Sequence, residues 1–248
     1  GADQVAQITR NPFNGASVLP KIMHLRDHEP DHFQRTTRVL VGAQDFIIFR
    51  LTGQAVTDPT TAATTGMYNF EAGCWASEWL TTLGLSHISL PHLYEAGDCV
   101  GQVTTAAAEM TGLDHGLSVF CGLGDAAATT LGAGVTDSSQ SYAYLGTSAW
   151  VATLANTFHT GPSPLFLLPC TQAEWHIRIG PISNAGSVHR WAVHLLGKDD
   201  EAQGYAAMES LVSSTATDAE VLFLPYLSAE RLPVSTEKPQ GSFLGLSL

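Results

Sequence analysis

In "ASVLPKIMHLRDHEPDHFQRTTRVLVGAQDFIIFRLTG" the apolar positions recur at helical spacing, with a break at Pro30 and a stop at Gly53. The pattern predicts two helical segments separated at the proline, with Gly53 as the C-cap. "DPTTAATTGMYNFEAGCWASEWLTTLGL" begins as a polar loop and ends as a short amphipathic helix around Trp75 to Leu83. "LPHLYEAGDCVGQVTTAAAEMTGL" predicts a loop, a strand near Val100 to Val103, and a helix that ends at Gly112. The unbroken apolar run "LSVFC" predicts a buried strand over residues 117–121.

After Val135 the texture changes. "SSQSYAYLGTSAWVATLA" alternates as two strands joined by a turn at Gly146 to Ser148. "EWHIRIGPIS" predicts a further strand, "AGSVHRWAVHLLG" a helix opening from glycine, "DEAQGYAAMESLVSS" another helix, and "AEVLFLPYL" a buried strand. Helices mixed with strands on this spacing predict an α/β fold, and the shift at 135–140 predicts a domain boundary. The chain carries no internal repeat and no low-complexity tract.

The 248 residues suffice for one large domain or two ordinary ones with a substantial core. Lys and Arg total 11 against 23 Asp and Glu, for a net charge of −12. That surface disfavours nucleic acid and anionic membrane as partners, because both need dense positive charge. A phosphorylated small molecule stays open, since a cradle of backbone N–H groups can hold it. Cys74, Cys99, Cys121 and Cys170 are far apart and form no C-x-x-C pair, which predicts reduced thiols and a cytoplasmic location. No apolar run reaches membrane-spanning length, and no signal-like start is visible. The first residue is Gly, not Met, as expected of a processed or excised piece.

The candidate chemistry begins at "VFCGLGDAAATTLGAG", residues 119–134, which reads as strand, glycine corner, acid and small-residue helix. Its G-x-G-x-x-A spacing matches a dinucleotide fingerprint, the mark of a nucleotide-binding oxidoreductase. Against this, Asp125 would set a negative charge where the pyrophosphate belongs, and "YAYLGTS" offers no acid for a ribose. A second reading makes Asp125 a helix cap. A third makes it a general base, held ionised at a helix start and taking a proton from a substrate hydroxyl. Small neighbours at Gly122, Gly124, Ala126 and Ala127 leave room for that approach, so Asp125 and Gly124 become candidate substrate contacts. "LGTS" adds a tight turn whose Gly146, Thr147 and Ser148 offer N–H and O–H donors to phosphate, although a plain β-turn has the same sequence.

Other residues read as structural. His24, His28 and His32 follow i, i+4, i+8 spacing, but Pro30 breaks their helix, so a solvated face is favoured over a metal site. Asp45 is expected to pair with Arg50 or a backbone turn, and Asp58 to cap a loop, with a part in shaping a cleft as its alternative. The five tryptophans are assigned to packing, with Trp150, just after the turn, the first to test for substrate contact. No G-x-S-x-G supports a serine hydrolase.

The stretches "DFIIFRLTGQAVTDPTTAATTGMYNFEAGCW", "LPHLYEAGDCVGQVTTAAAEMTGLDHGLSVFCGLGDAAATTLGAGV", "YAYLGTSAW", "SNAGSVHRW" and "LFLPYLSAERLP" together resemble the FGGY family of carbohydrate kinases, from about Asn11 to Leu248. The resemblance implies two ribonuclease H-like domains of the actin and sugar-kinase type around a cleft, both incomplete in this chain. Residues 1–136 would be the later part of a sugar-binding domain and 137–248 the first part of a nucleotide-binding domain. It implies ATP and Mg²⁺ as cofactors, a small sugar as substrate, and Asp125 as catalytic base. Gly146, Thr147 and Ser148 would lie near the phosphates, and Gly186 and Arg190 near the nucleotide. A homodimer is compatible with this reading.

The chain departs from the family in places. Nothing before Asn11 matches the family's D-x-G-T hairpin, and no glycine-rich adenosine loop follows "GSFLGLSL", so the isolated chain is expected to be catalytically weak or dead. Val18 and His24 stand where the family carries Thr and Trp. Ala126 stands where glycerol kinases carry Gln, which speaks against glycerol; "GDAAA" and "LGTS" look closest to xylulose kinases, with gluconate and other sugar kinases as alternatives. A non-catalytic member that binds only sugar or nucleotide is the alternative from another class.

Overall fold

Helix α1 (Ala2–Thr9) leads to α2 (Val18–His28), and α3 (Pro30–Arg35) starts with Pro30 in its first turn, where a missing N–H costs nothing. The chain then runs extended before α4 (Ala43–Thr52), so the second predicted segment is two helices and not one. Gly53 ends α4 in the left-handed region at φ 77°, the C-cap that the pattern predicts. The computed structural model describes residues 2–157, 165–171, 175–196, 201–214, 221–230 and 239–246.

Next come β1 (Val56–Thr57), α5 (Pro59–Ala63), the hairpin β2 (Tyr68–Asn69) and β3 (Cys74–Trp75), then α6 (Ser77–Thr82). The expected polar loop at "DPTTAA" is therefore helix α5, because Asp58 caps it and Pro59 opens it. β4 (His92–Leu93) pairs parallel with β1. β5 (Cys99–Gln102), α7 (Thr105–Thr111), β6 (Ser118–Phe120) and α8 (Asp125–Gly132) follow. β5 and β6 pair antiparallel, with an irregularity between Cys99 and Gly101.

β7 (Ser141–Leu145), β8 (Ala149–Ala155), β9 (Phe166–Pro169) and β10 (His176–Ile182) form one sheet in the order β7-β8-β10-β9. α9 (Gly186–Leu195), α10 (Glu201–Ser214) and the antiparallel pair β11 (Leu222–Leu224) and β12 (Ser242–Leu244) complete the described elements. The contacts divide the chain into two compact units, Gly1–Ser141 with Thr153–Arg178, and Tyr142–Ala152 with Ile179–Leu248. Among the described residues no helix is long and apolar enough to cross a membrane.

Two strands expected to be buried are not. In β6, Phe120 is 56% exposed, and only Cys121 beyond it is buried. Leu222 of β11 is 66% exposed. Among the described residues each of these strands pairs with a single neighbour, so an apolar run there does not imply cover on both faces.

The first unit's main core joins Leu19 and Ile22 of α2, Phe33 of α3, Met67, Leu85 and Ile88. A smaller cluster of Ile48, Val56, Val100 and Cys121 ties α4 to the strands that lead into α8. Burial of side chains of this size stabilises by roughly 1.5–3 kcal/mol each. Asn11 adds a polar tie: its Nδ2 donates to Ala63 O at 3.3 Å and Leu167 O at 2.8 Å, and its Oδ1 accepts from Leu167 N at 2.8 Å. This one amide fastens α5 and β9 together.

Asp45, fully buried, reaches back over the start of α4 to accept from Gly42 N at 2.8 Å and Val41 N at 3.2 Å. Of its two expected partners it takes the backbone turn. Arg50 instead lies over the Phe46 ring and donates to Met110 Sδ at 3.3 Å. Burial pushes the Asp45 carboxyl above the ordinary carboxylate range, against the pull of the Thr57, Gly42 and Val41 donors. The folded chain therefore holds this proton more tightly than the unfolded chain, and the stability so gained is lost as pH rises through the raised value. Asp45→Asn, which keeps one acceptor for Gly42, is expected to raise the melting temperature at about pH 8, with the gain shrinking toward about pH 4. Thermal unfolding across that range checks it, and a gain that grows toward acid would contradict the assignment.

Candidate active site

β6 runs out through Cys121, and the loop Gly122–Leu123–Gly124 delivers Asp125 as the first residue of α8. Asp125 is exposed, and its Oδ1 accepts from Ala126 N at 2.7 Å. Gly124 is the residue before the helix, and its N–H donates to Thr60 Oγ1 at 3.0 Å. A Cβ on Gly124 would lie 2.9 Å from that oxygen, so glycine is required for this approach.

Thr60 is itself held by Asp58, which is fully buried and caps α5. Asp58 accepts from Thr60 N at 2.9 Å, Thr61 N at 3.2 Å, Thr61 Oγ1 at 2.5 Å and Gln44 Nε2 at 2.8 Å, and also from the Thr60 hydroxyl. It is thus a cap, as the sequence suggests, and is also one hydrogen-bonded residue away from the Asp125 loop. The D-P-T-T motif reveals the cap; only the fold reveals that its threonine reaches Gly124.

An open cleft of about 370 Å³ borders this loop in the same unit, with Thr60, Leu123, Tyr68, Glu95 and Asp98 in its wall. Asp125 is not part of that wall. Burial and then the nearby Glu95 push the Tyr68 phenol up to about 12, so it remains a proton-carrying donor at neutral pH. Burial, then the surrounding carboxylates Asp58 and Asp45, push the Cys121 thiol up to about 12. Its Sγ donates to Tyr94 O at 3.7 Å, as a packed thiol and not a nucleophile.

The second unit holds the other candidates. Between β7 and β8 the turn is closed by Gly146 N donating to Ser148 O at 2.9 Å. Thr147 and Ser148 are exposed. The start of α9 sits directly on this turn: Gly186 N donates to Gly146 O at 3.0 Å and Ser187 N to Thr147 O at 3.1 Å. The structure thus brings Gly186 to the Gly146–Thr147 turn, with Arg190 exposed one turn further along α9. Trp150 stacks on Tyr144 at 3.9 Å, and its Nε1 donates to Tyr142 Oη at 3.1 Å, a packing role. Trp75 packs into the main core, and Trp191 stacks on Phe223.

His24 and His28 stack at 4.1 Å, and His32 Nδ1 meets Glu29 Oε2 at 2.7 Å, all on exposed surface. Among the described residues no three His, Cys, Asp or Glu side chains converge as a metal cage. Sequence reasoning passed over Asn11 and Gln44, since isolated amides carry no motif, and quoted Asn184 only within "SNAGSVHRW", without a role. Asn184 is buried in the loop before α9, with its Oδ1 accepting from Ser228 N at 2.9 Å and Oγ at 3.0 Å.

Residues 1–132 match the FGGY family of carbohydrate kinases, N-terminal domain. A xylulose kinase from Staphylococcus xylosus is 27% identical over 99% of this chain and 50% of its own length. The crystal structure of a ligand-bound xylulose kinase from Lactobacillus acidophilus superposes with a TM-score of 0.85 at 28% identity, over 98% of this chain and 49% of that one. A gluconate kinase from Lactobacillus acidophilus gives 0.86 at 28% identity, over 98% and 49%. The described elements therefore adopt a sugar-kinase fold. The chain spans about half the length of the curated relatives it matches.

A Cβ on Gly186 would lie 2.4 Å from Gly146 O, so α9 and the turn would have to separate. Gly186→Ala is expected to cost about 1–3 kcal/mol in denaturant unfolding, as overpacking does. Gly132→Ala serves as the control: a Cβ there meets nothing within 4 Å, and alanine suits a helix. Equal behaviour of the two variants would argue against the close packing of α9 on the turn.

Proposed function

The chain belongs to the FGGY family of carbohydrate kinases, and on that premise we propose that the protein transfers the γ-phosphoryl group of ATP to a sugar hydroxyl. The acceptor is a pentulose such as xylulose, and Asp125 is the general base. The observation that carries this reading is an exposed carboxylate at the start of α8, bordered by glycines, in a chain similar over 99% of its length to a xylulose kinase.

With one oxygen of Asp125 held by Ala126 N, the other is available to an incoming hydroxyl. The hydroxyl proton passes to that carboxylate oxygen as the sugar oxygen bonds to the γ-phosphorus and the bond to ADP breaks. The Asp58–Thr60–Gly124 chain of hydrogen bonds fixes the loop, so the base need not be ordered during reaction. For the nucleotide, the exposed Thr147 and Ser148 supply hydroxyl donors, the bare Gly186 allows close approach, and Arg190 adds a cation. Mg²⁺ is proposed to arrive with the phosphates, where it would neutralise their charge. In this reading residues 1–136 serve the sugar and 137–248 the nucleotide, and the location is the cytoplasm.

Gluconate is the competing acceptor, because a gluconate kinase superposes as well as the xylulose kinase does. ATP consumption by a full-length parent, measured with xylulose, gluconate and glycerol, decides between them, with the highest kcat/KM expected for xylulose. In a full-length parent, Asp125→Asn is expected to lose roughly 10²- to 10⁴-fold in kcat, the range of a lost general base, while ADP affinity stays within about twofold. Near-parental turnover by that variant refutes the base. ADP binding without turnover on any sugar supports a non-catalytic member instead.

A further inference from the structure

Helix α9 begins without a side-chain cap, since Ala185 stands at the N-cap position. Its first two N–H groups go to the carbonyls of Gly146 and Thr147, so the pose of the turn depends on where the preceding loop sets the helix. That loop is held by a carboxylate from far along the chain. Glu230 Oε2 accepts from Ser183 N at 2.7 Å, and Oε1 accepts from Asn184 N at 3.1 Å and Asn184 Nδ2 at 2.7 Å. Asn184 Nδ2 also donates to Ser228 O at 2.8 Å, which ties both ends of the segment 228–230 to the loop.

Two consecutive backbone N–H groups meeting two oxygens of one carboxylate define both position and orientation. A single neutral acceptor would fix neither. Charge-assisted bonds of this kind are about twice as strong as neutral ones. Burial works to raise the Glu230 carboxyl, yet the donors of Ser183 and Asn184 outweigh it and hold the group below its ordinary value. The group is therefore ionised throughout the neutral range, and its negative charge lies close to the positive end of α9.

We propose that Glu230 is the positioning residue of the nucleotide site: it sets the 183–185 loop so that Gly186 and Ser187 seat α9 on the Gly146–Thr147 turn. It touches no substrate itself. The proposal rests on the reading of that turn as the phosphate contact. It extends that reading to a residue that the sequence marks only as part of "LSAERLP".

Glu230→Gln tests it, because the amide replaces one acceptor with a donor that faces a backbone N–H. ADP affinity by calorimetry is expected to fall at least about tenfold, the scale of a misplaced contact, with a matching rise in KM for ATP and little change in KM for the sugar. Hydrogen exchange at Gly186 and Ser187 should quicken in the same variant. Ser228→Ala is the structural control: it removes one hydroxyl bond from the network and leaves both backbone bonds to Glu230, so ADP affinity should stay within about twofold. Glu230→Asp, which keeps the charge and shortens the reach, is read in the same way if the amide variant does not fold. Unchanged ADP affinity in the Glu230 variants, or an equal loss in Ser228→Ala, overturns the proposal and leaves the kinase reading standing. A parent protein that binds no ADP overturns both.

Discussion

A carboxylate taken out of water must be met by donors or by a cation, or it gives up its charge. With 11 Lys and Arg against 23 Asp and Glu, this chain has few cations to offer. Among the described residues, Asp45, Asp58 and Glu230 are met by N–H and O–H groups at loop-to-helix junctions. Asp45 folds back over the start of α4, Asp58 over the start of α5, and Glu230 over the loop that opens α9. Three separate junctions thus share one solution, in which a short-range need for donors dictates the path of the backbone.

The consequence for function follows from what those junctions carry. Asp58 organises Thr60 and Thr61, and Thr60 takes the N–H of Gly124, one residue before Asp125. Glu230 organises Ser183 and Asn184, just before Gly186. In each unit the residue proposed for chemistry is exposed or lies on a turn, and the acid that sets its backbone lies behind it. Glycine completes both arrangements for a steric reason: at Gly124 and Gly186 a side chain would collide with the neighbouring threonine hydroxyl or carbonyl.

Phosphoryl transfer suits such a design, because it asks the protein for positioning and charge balance more than for covalent chemistry. Kinases of this family need a base and a phosphate cradle that keep their shape. Loops held by acids meet that need through backbone and hydroxyl donors.

Periodicity and local chemistry were sufficient for α2, for the break at Pro30, for the C-cap at Gly53, for α7 and its end at Gly112, and for the hairpin around Gly146 to Ser148. All depend on interactions within a few residues, which a linear pattern records. The same pattern overstated the burial of β6 and β11, because cover for a strand comes from elements remote in sequence. It also passed over helix α5, whose start needs the donors that gather on Asp58. The order of motifs identified Asp125, the Gly-Thr-Ser turn and Gly186 as residues of interest and pointed to a sugar kinase. That Thr60 reaches Gly124 across 64 positions, that Asn11 joins α5 to β9, and that Glu230 holds the loop before α9 were decided by tertiary structure alone. A hydrogen bond between distant residues leaves no periodic trace, since either partner alone reads as an ordinary polar residue.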